Sequence, residues 1–204
     1  YGVAQDRVLL NKVRARLVET MMSKQPVMLA DILADYATSR LPAGVKAIAR
    51  AVQKVAGDTA VRAESKKAVG GEGVYNATTD LIEVALGAHN PLHTVLHEGV
   101  HAATISAVVK DAELHKALYS LMAHAVAHDP ALQQAYGFSN TLEFLAEGLS
   151  NSGLQRRLYK VPANKAVEKY LGATVANAWD AFVALVCKAL NLPAEHQSVL
   201  TQLL

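Results

Sequence analysis

The sequence contains a single cysteine, Cys187, in 204 residues. That excludes a disulfide framework within the chain and leads us to expect a reducing compartment such as the cytoplasm. Aromatic residues are also scarce, at 5%, and charged residues make up only 19% against a hydrophobic share of 51%. This is a globular composition, not a disordered one, and its apolar part is mostly Ala, Leu and Val, which favours helices. Neither sign of charge dominates: the net charge is +2 and the two signs are interspersed. No basic or acidic face is available to bring a nucleic acid or a membrane surface as partner. An uninterrupted apolar run of membrane-spanning length is missing as well. The best stretch, Leu171 to Leu190, is broken by Asn177, Asp180 and Lys188. There is no internal repeat and no low-complexity tract. An initiating Met is absent too: the chain opens on Tyr1 and ends on Thr201-Gln202-Leu203-Leu204 in mid-pattern. It is therefore expected to be a piece of a longer polypeptide.

Apolar periodicity then divides what is present. Val3, Val8, Leu9, Val13, Leu17, Val18 and Met21 recur at helical spacing, which predicts an amphipathic helix over 3–22. Pro26 begins a second helix over about 27–38. A third is expected from Val45 to Val55, ending near Gly57. The character changes after Asp58. Gly70-Gly71-Glu72-Gly73 breaks the chain, Gly73-Val74-Tyr75 and Leu81 to Leu86 read as strands about a polar turn, and Thr59 to Ala63 is a third strand candidate. The strand at 81–86 directly precedes the next helix and could present its edge to an extended peptide. Asn90-Pro91 is a strong helix start, capped by Asn90 and running to about Val109. Helices are expected at 111–128, 140–151, 154–160, 164–171, 173–191 and 194–204, with a short helical turn after Asp129-Pro130. The fold class is thus α+β and predominantly helical: an N-terminal helical segment at 1–57, then a domain at 58–204 with a small sheet and a helical C-terminal part.

The chemistry concentrates in one place. Helix 90–109 carries His97-Glu98-Gly99-Val100-His101, the pattern His-Glu-x-x-His. Positions four apart share a helix face, so His97 and His101 can turn two imidazoles towards one ion, and Glu98 can reach a water on that ion. That is the donor set of zinc-dependent hydrolysis. In a chain of this composition about 0.015 such matches are expected by chance, so the spacing is informative. A catalytic zinc needs a third protein ligand and an open position for water. Acidic or His residues downstream are the candidates.

Ala146-Glu147-Gly148-Leu149-Ser150-Asn151 resembles the Asn-Glu-x-x-Ser-Asp element of the gluzincins, the thermolysin-like zinc metallopeptidases. The resemblance implies Zn2+ held by His97, His101 and Glu147, with Glu98 as general base. Asn151 would then stand where that clan has an Asp in contact with a liganding His, and would supply a neutral hydrogen-bond acceptor for the ring. Ala146 replaces the Asn of the element, and a long insert, 102–146, separates the two motifs. The runs Val95 to Thr104 and Glu143 to Asn151 are also similar to peptidase domains of zincin type in large phage and prophage polyproteins, over roughly residues 70–204. That likeness implies a module of a polyprotein, in the cytoplasm or associated with a virion.

Glu143 is the rival third ligand, one turn before Glu147 on the same face, or a hydrogen-bonding partner of the site. Its spacing from Asn140 is equally that of a capping box. His93 extends the series of histidines, but a helix drifts by about 40° over each four-residue step, so three such rings do not converge on one ion. It is read as exposed or as a supporting group. His124 and His128 form another pair four apart, without an adjacent Glu, and read as a C-terminal pair favoured by the helix dipole. Tyr159, Tyr136, Tyr170 and His124 are the candidate donors to a tetrahedral oxyanion. Trp179, Phe182 and Cys187 belong to an apolar stripe and read as core.

The expected activity is hydrolysis of peptide bonds in a peptide or protein substrate by a metal-activated water. The contrasting expectation is a non-catalytic binding or structural module with a vestigial or structural metal site.

Overall fold

A computed structural model describes residues 6–193 together with Gln197 and Leu200. The fold is α+β and predominantly helical, and the chain divides into two compact units, one up to Ala103 and one from Thr104 on.

In the first unit, α1 (Arg7–Ser23) begins at Asp6, whose Oδ1 accepts from the amides of Val8 and Leu9 at 3.1 and 3.0 Å. Its buried face is Leu9, Val13, Leu17 and Thr20, the i, i+4 stripe of an amphipathic helix. Lys24, with φ 57, ends it in the left-handed region. The chain then forms a two-residue strand β1 (Val27–Met28), α2 (Leu29–Ala37) and α3 (Ala43–Ala56). After these come β2 (Ala60–Glu64), a single turn α4 (Lys66–Val69), β3 (Gly73–Asn76) and β4 (Leu81–Ala85). The sheet order is β1-β2-β4-β3, with β2 parallel to β4 and the outer pairs antiparallel.

Two expectations change here. Residues 27 and 28 are strand rather than the first turn of a helix, because Val27 and Met28 pair with Val61 and Ala60. The segment before the His-containing helix, β4, lies inside the sheet, with both edges bonded to neighbours. Its edge cannot receive a peptide. Among the described residues the outer strand on that side is β3.

The helix α5 (Pro91–Lys110) starts where the sequence indicates, with the His93 amide donating to Asn90 Oδ1 at 3.2 Å. Its first turns are anchored by the buried Tyr36 of α2, whose hydroxyl donates to the Leu92 carbonyl at 2.7 Å. At Gly99, inside His-Glu-x-x-His, a Cβ would lie 3.1 Å from Val52 Cγ1 and 3.4 Å from a Leu29 methyl. Glycine thus lets the metal-motif helix approach α2 and α3 closely. Leu29, Ile32, Leu33, Ile48 and Val52 are buried on these helices, each worth about 1.5–3 kcal/mol of apolar transfer.

The expected boundary near Gly57 is therefore not a structural one. The Thr20 hydroxyl of α1 accepts from the Ala63 amide of β2 at 2.9 Å, and β1 joins the sheet. The N-terminal helices and the sheet share one core, and the division falls within α5.

The second unit contains α6 (Ala112–His128), two short 3-10 helices (Pro130–Gln134 and Tyr136–Phe138), α7 (Thr141–Ser150), α8 (Ser152–Lys160), α9 (Lys165–Leu171) and α10 (Ala178–Ala189). Asn140, Asn151, Asn164 and Asn177 each cap the helix that follows with a side-chain oxygen. The expected helix 173–191 starts later, because Asn177 is the cap and bridges to Pro162. Aromatic side chains knit the core: Phe144 of α7 meets Phe138 and Phe182 edge-on at 5.2 Å each, and Phe182 stacks on Trp179 at 5.4 Å. Cys187 is buried, and burial pushes its thiol up to about 11, which suits a core residue and not a nucleophile. Of the expected helix 194–204, only Gln197 and Leu200 fall within the described residues. Among the described residues no helix is long and apolar enough to cross a membrane.

Candidate metal centre

Helix α5 is apolar on nearly every side: Leu92, Val95, Leu96 and Val100 are all fully buried. Against this background His97 and Glu98 are buried polar residues, 6% and 8% exposed. Their spacing does what helical geometry requires. The Nε2 atoms of His97 and His101 come within 3.1 Å, with ring centroids 4.8 Å apart and planes at 78°. Two imidazole nitrogens bound to one tetrahedral ion at about 2.0–2.1 Å stand roughly 3.3 Å apart. The two rings are thus already placed almost as a shared ion would hold them. His93 comes next along the same helix, its ring centroid 5.6 Å from that of His97.

Glu98 has a neighbour that sequence reasoning did not single out. Gly73, the first residue of β3, lies so close to α5 that a Cβ there would collide with Thr94 Cγ2 and sit 3.2 Å from Glu98 Cγ. The outer strand of the sheet is thereby packed directly against the carboxylate-bearing turn. The glycine run 70–73 carried that signal, but it read as a chain break.

On α7, Glu147 and Glu143 lie one turn apart, and the two residues have different surroundings. Asn140 Oδ1 accepts from the Glu143 amide at 2.9 Å, so the start of α7 is a capped helix end. Glu147 is held from the other side: Asn151 Nδ2 donates to its Oε2 at 2.9 Å. Asn151 Oδ1 accepts from the amides of Gly153 and Leu154, the first turn of α8. The expectation that Asn151 would offer its oxygen to a histidine ring thus gives way to another role. Its oxygen caps α8, and its amide orients a glutamate.

Among the described residues, groups of His and Glu side chains could hold a metal ion, and His93, His97 and His101 of α5 are among them.

No family model, curated protein or solved structure matches this chain. The chemistry therefore has to be argued from the residues themselves.

The candidate oxyanion donors separate clearly. Tyr170 donates to Asp111 Oδ2 at 3.5 Å, and the Lys188 ammonium sits 4.0 Å over its ring. His124 Nε2 lies 3.1 Å from the Pro162 carbonyl, and His128 Nδ1 lies 2.9 Å from the His124 carbonyl. These groups serve the packing of α6, α9 and α10 and of the helix end at His128. Tyr159 is 55% exposed on α8. Tyr136 belongs to the 3-10 turn that abuts α7, where a Cβ on Gly137 would lie 2.7 Å from Glu147 Cβ. Of the four, Tyr136 is the one whose neighbour in sequence packs against Glu147.

Proposed function

We propose that this chain is a zinc-dependent metallopeptidase of gluzincin type. The carrying observation is the 3.1 Å approach of the His97 and His101 Nε2 atoms beside the buried Glu98. In this reading His97, His101 and one glutamate of α7 hold the ion. We assign Glu147 that part, because the Asn151 amide orients its carboxylate and because it matches the gluzincin element. Glu143 remains the competing ligand. A zinc ion bound there supplies a Lewis acid that polarises a carbonyl and lowers the pKa of water. Glu98 takes a proton from the attacking water and returns it to the leaving amine. Tyr136 is the favoured donor to the oxyanion. Extended peptide substrates suit the site, since β3 is an outer strand packed against Glu98 and could pair with a further strand.

The test compares wild type with Glu98→Gln, both loaded with zinc, against a peptide library. Wild type should cleave with one equivalent of zinc bound, and the variant should keep the zinc while losing about 10²–10⁴ in rate. Cleavage indifferent to Glu98, or none with zinc in place, refutes the enzyme. Comparing zinc affinity in Glu147→Gln and Glu143→Gln decides the third ligand.

A second reading has an observation of its own. A separation of 3.1 Å is also that of an N–H···N hydrogen bond between two neutral imidazoles. The pair would then be a metal-free structural contact in a binding module. In that case chelator leaves the thermal midpoint unchanged, whereas a zinc protein is destabilised by it.

A further inference from the structure

The three histidines of α5 do more than repeat a spacing. His97 stands between two neighbours, with ring centroids 5.6 Å from His93 and 4.8 Å from His101. Because four residues advance a helix by about 40° beyond a full turn, the three rings fan round the axis. Adjacent members can share an ion and the outer two cannot join them in a single three-histidine seat. The groups of side chains suited to a metal have the same form on α5: they share His97 and differ in their second histidine.

We propose that α5 offers one ion two overlapping seats that share His97, an inner seat with His101 and an outer seat with His93. The inference rests on the metal reading above and extends it to a residue that His-Glu-x-x-His does not contain. His93 is held in place for this part. Its amide donates to Asn90 Oδ1 at 3.2 Å, which fixes the first turn of α5 and with it the stem of the His93 ring. His93 is half-buried beside the buried His97. Because both seats need His97, they are alternatives and total uptake stays at one equivalent.

The test uses the full chain and Co2+ alone, followed by its visible absorption, with Zn2+ affinity measured by competition against a chromogenic chelator. Wild type should bind one equivalent. His101→Ala should still bind one equivalent, with weaker affinity and a changed Co2+ spectrum, because the outer seat survives. His97→Ala should lose binding, and His93→Ala/His101→Ala should lose it equally, while His93→Ala alone keeps the inner seat. Circular dichroism checks each fold, and the matching His→Gln variants replace any alanine variant that does not fold. If His101→Ala binds no better than His97→Ala, or if adding His93→Ala to His101→Ala changes nothing, the outer seat does not exist and the single-seat metal reading stands. If wild type takes up no Co2+ or Zn2+, the metal reading itself fails.

Discussion

Gly73 of β3 and Glu98 of α5 are in direct steric register: a methyl group added at Gly73 would lie 3.2 Å from Glu98 Cγ and would collide with the buried Thr94. Thr94 is β-branched and has little rotamer freedom in a helix, so the collision cannot be relieved cheaply. Gly73→Ala should therefore overpack the strand–helix contact and cost about 1–3 kcal/mol. It should also slow any Glu98-dependent cleavage while leaving zinc content unchanged. Denaturant midpoints, bound zinc and turnover of the zinc-loaded variant check the three parts. Unchanged stability would show that β3 can retreat from α5.

Asn151 joins two tasks, and substitution can separate them. Asn151→Ala removes the cap of α8 and the hydrogen bond to Glu147 together. It should cost about 1 kcal/mol through the cap, and about 10–100-fold in metal affinity if Glu147 is a ligand. Asn151→Asp keeps a good cap but sets a second carboxylate against Glu147 Oε2 in place of a donor. Stability should hold near wild type at low pH and fall as pH rises, as the two carboxylates ionise. Metal titrations and thermal midpoints from pH 4 to 8 provide the check.

Glu72 ties the segment before β3 to its surroundings. The Lys66 ammonium, 2.7 Å away, and then the His89 amide hold its carboxyl below the ordinary value of 4.5. A depressed carboxylate contributes stability above its unfolded pKa and loses it as pH falls through the folded one. Glu72→Gln should thus lower the thermal midpoint at pH 7, and the difference from wild type should shrink as pH falls below 4.5 and through the depressed folded-state pKa. The effect should be small, because Glu72 is 41% exposed and its ion pair is screened by solvent. A pH-independent difference would assign the loss to packing instead.

Cys187 should react slowly with thiol reagents in the folded state. It is 6% exposed and its thiol is pushed up to about 11, so little thiolate exists at pH 8. Alkylation at pH 8 should become fast only in denaturant. Rapid labelling of the native protein would mean that α10 opens locally.

Much of this molecule is legible in local sequence because its signals are local. Asn90-Pro91, Asn140 and Asn177 mark helix starts through side-chain caps that need no distant partner. His97 and His101 converge because helical geometry alone brings residues four apart together. The three strands after Asp58 follow from alternation and turn residues. What local signals do not carry is which strand lies outermost. Residues 81–85 alternate as an edge strand would, yet β2 arrives from twenty residues earlier and occupies the edge that β3 does not. Only tertiary pairing decides that β3, and not β4, is the outer strand among the described residues. The same holds for Gly73, a chain break in sequence and a steric neighbour of Glu98 in three dimensions. It holds also for Asn151, whose short side chain can bond a ring, a carboxylate or a backbone amide. The fold selects among them by placing Glu147 and the first turn of α8 within its reach. Spacing along the helix thus determined the approach of His97 and His101, and packing between elements distant in sequence decided the neighbours of Glu98 and of Glu147.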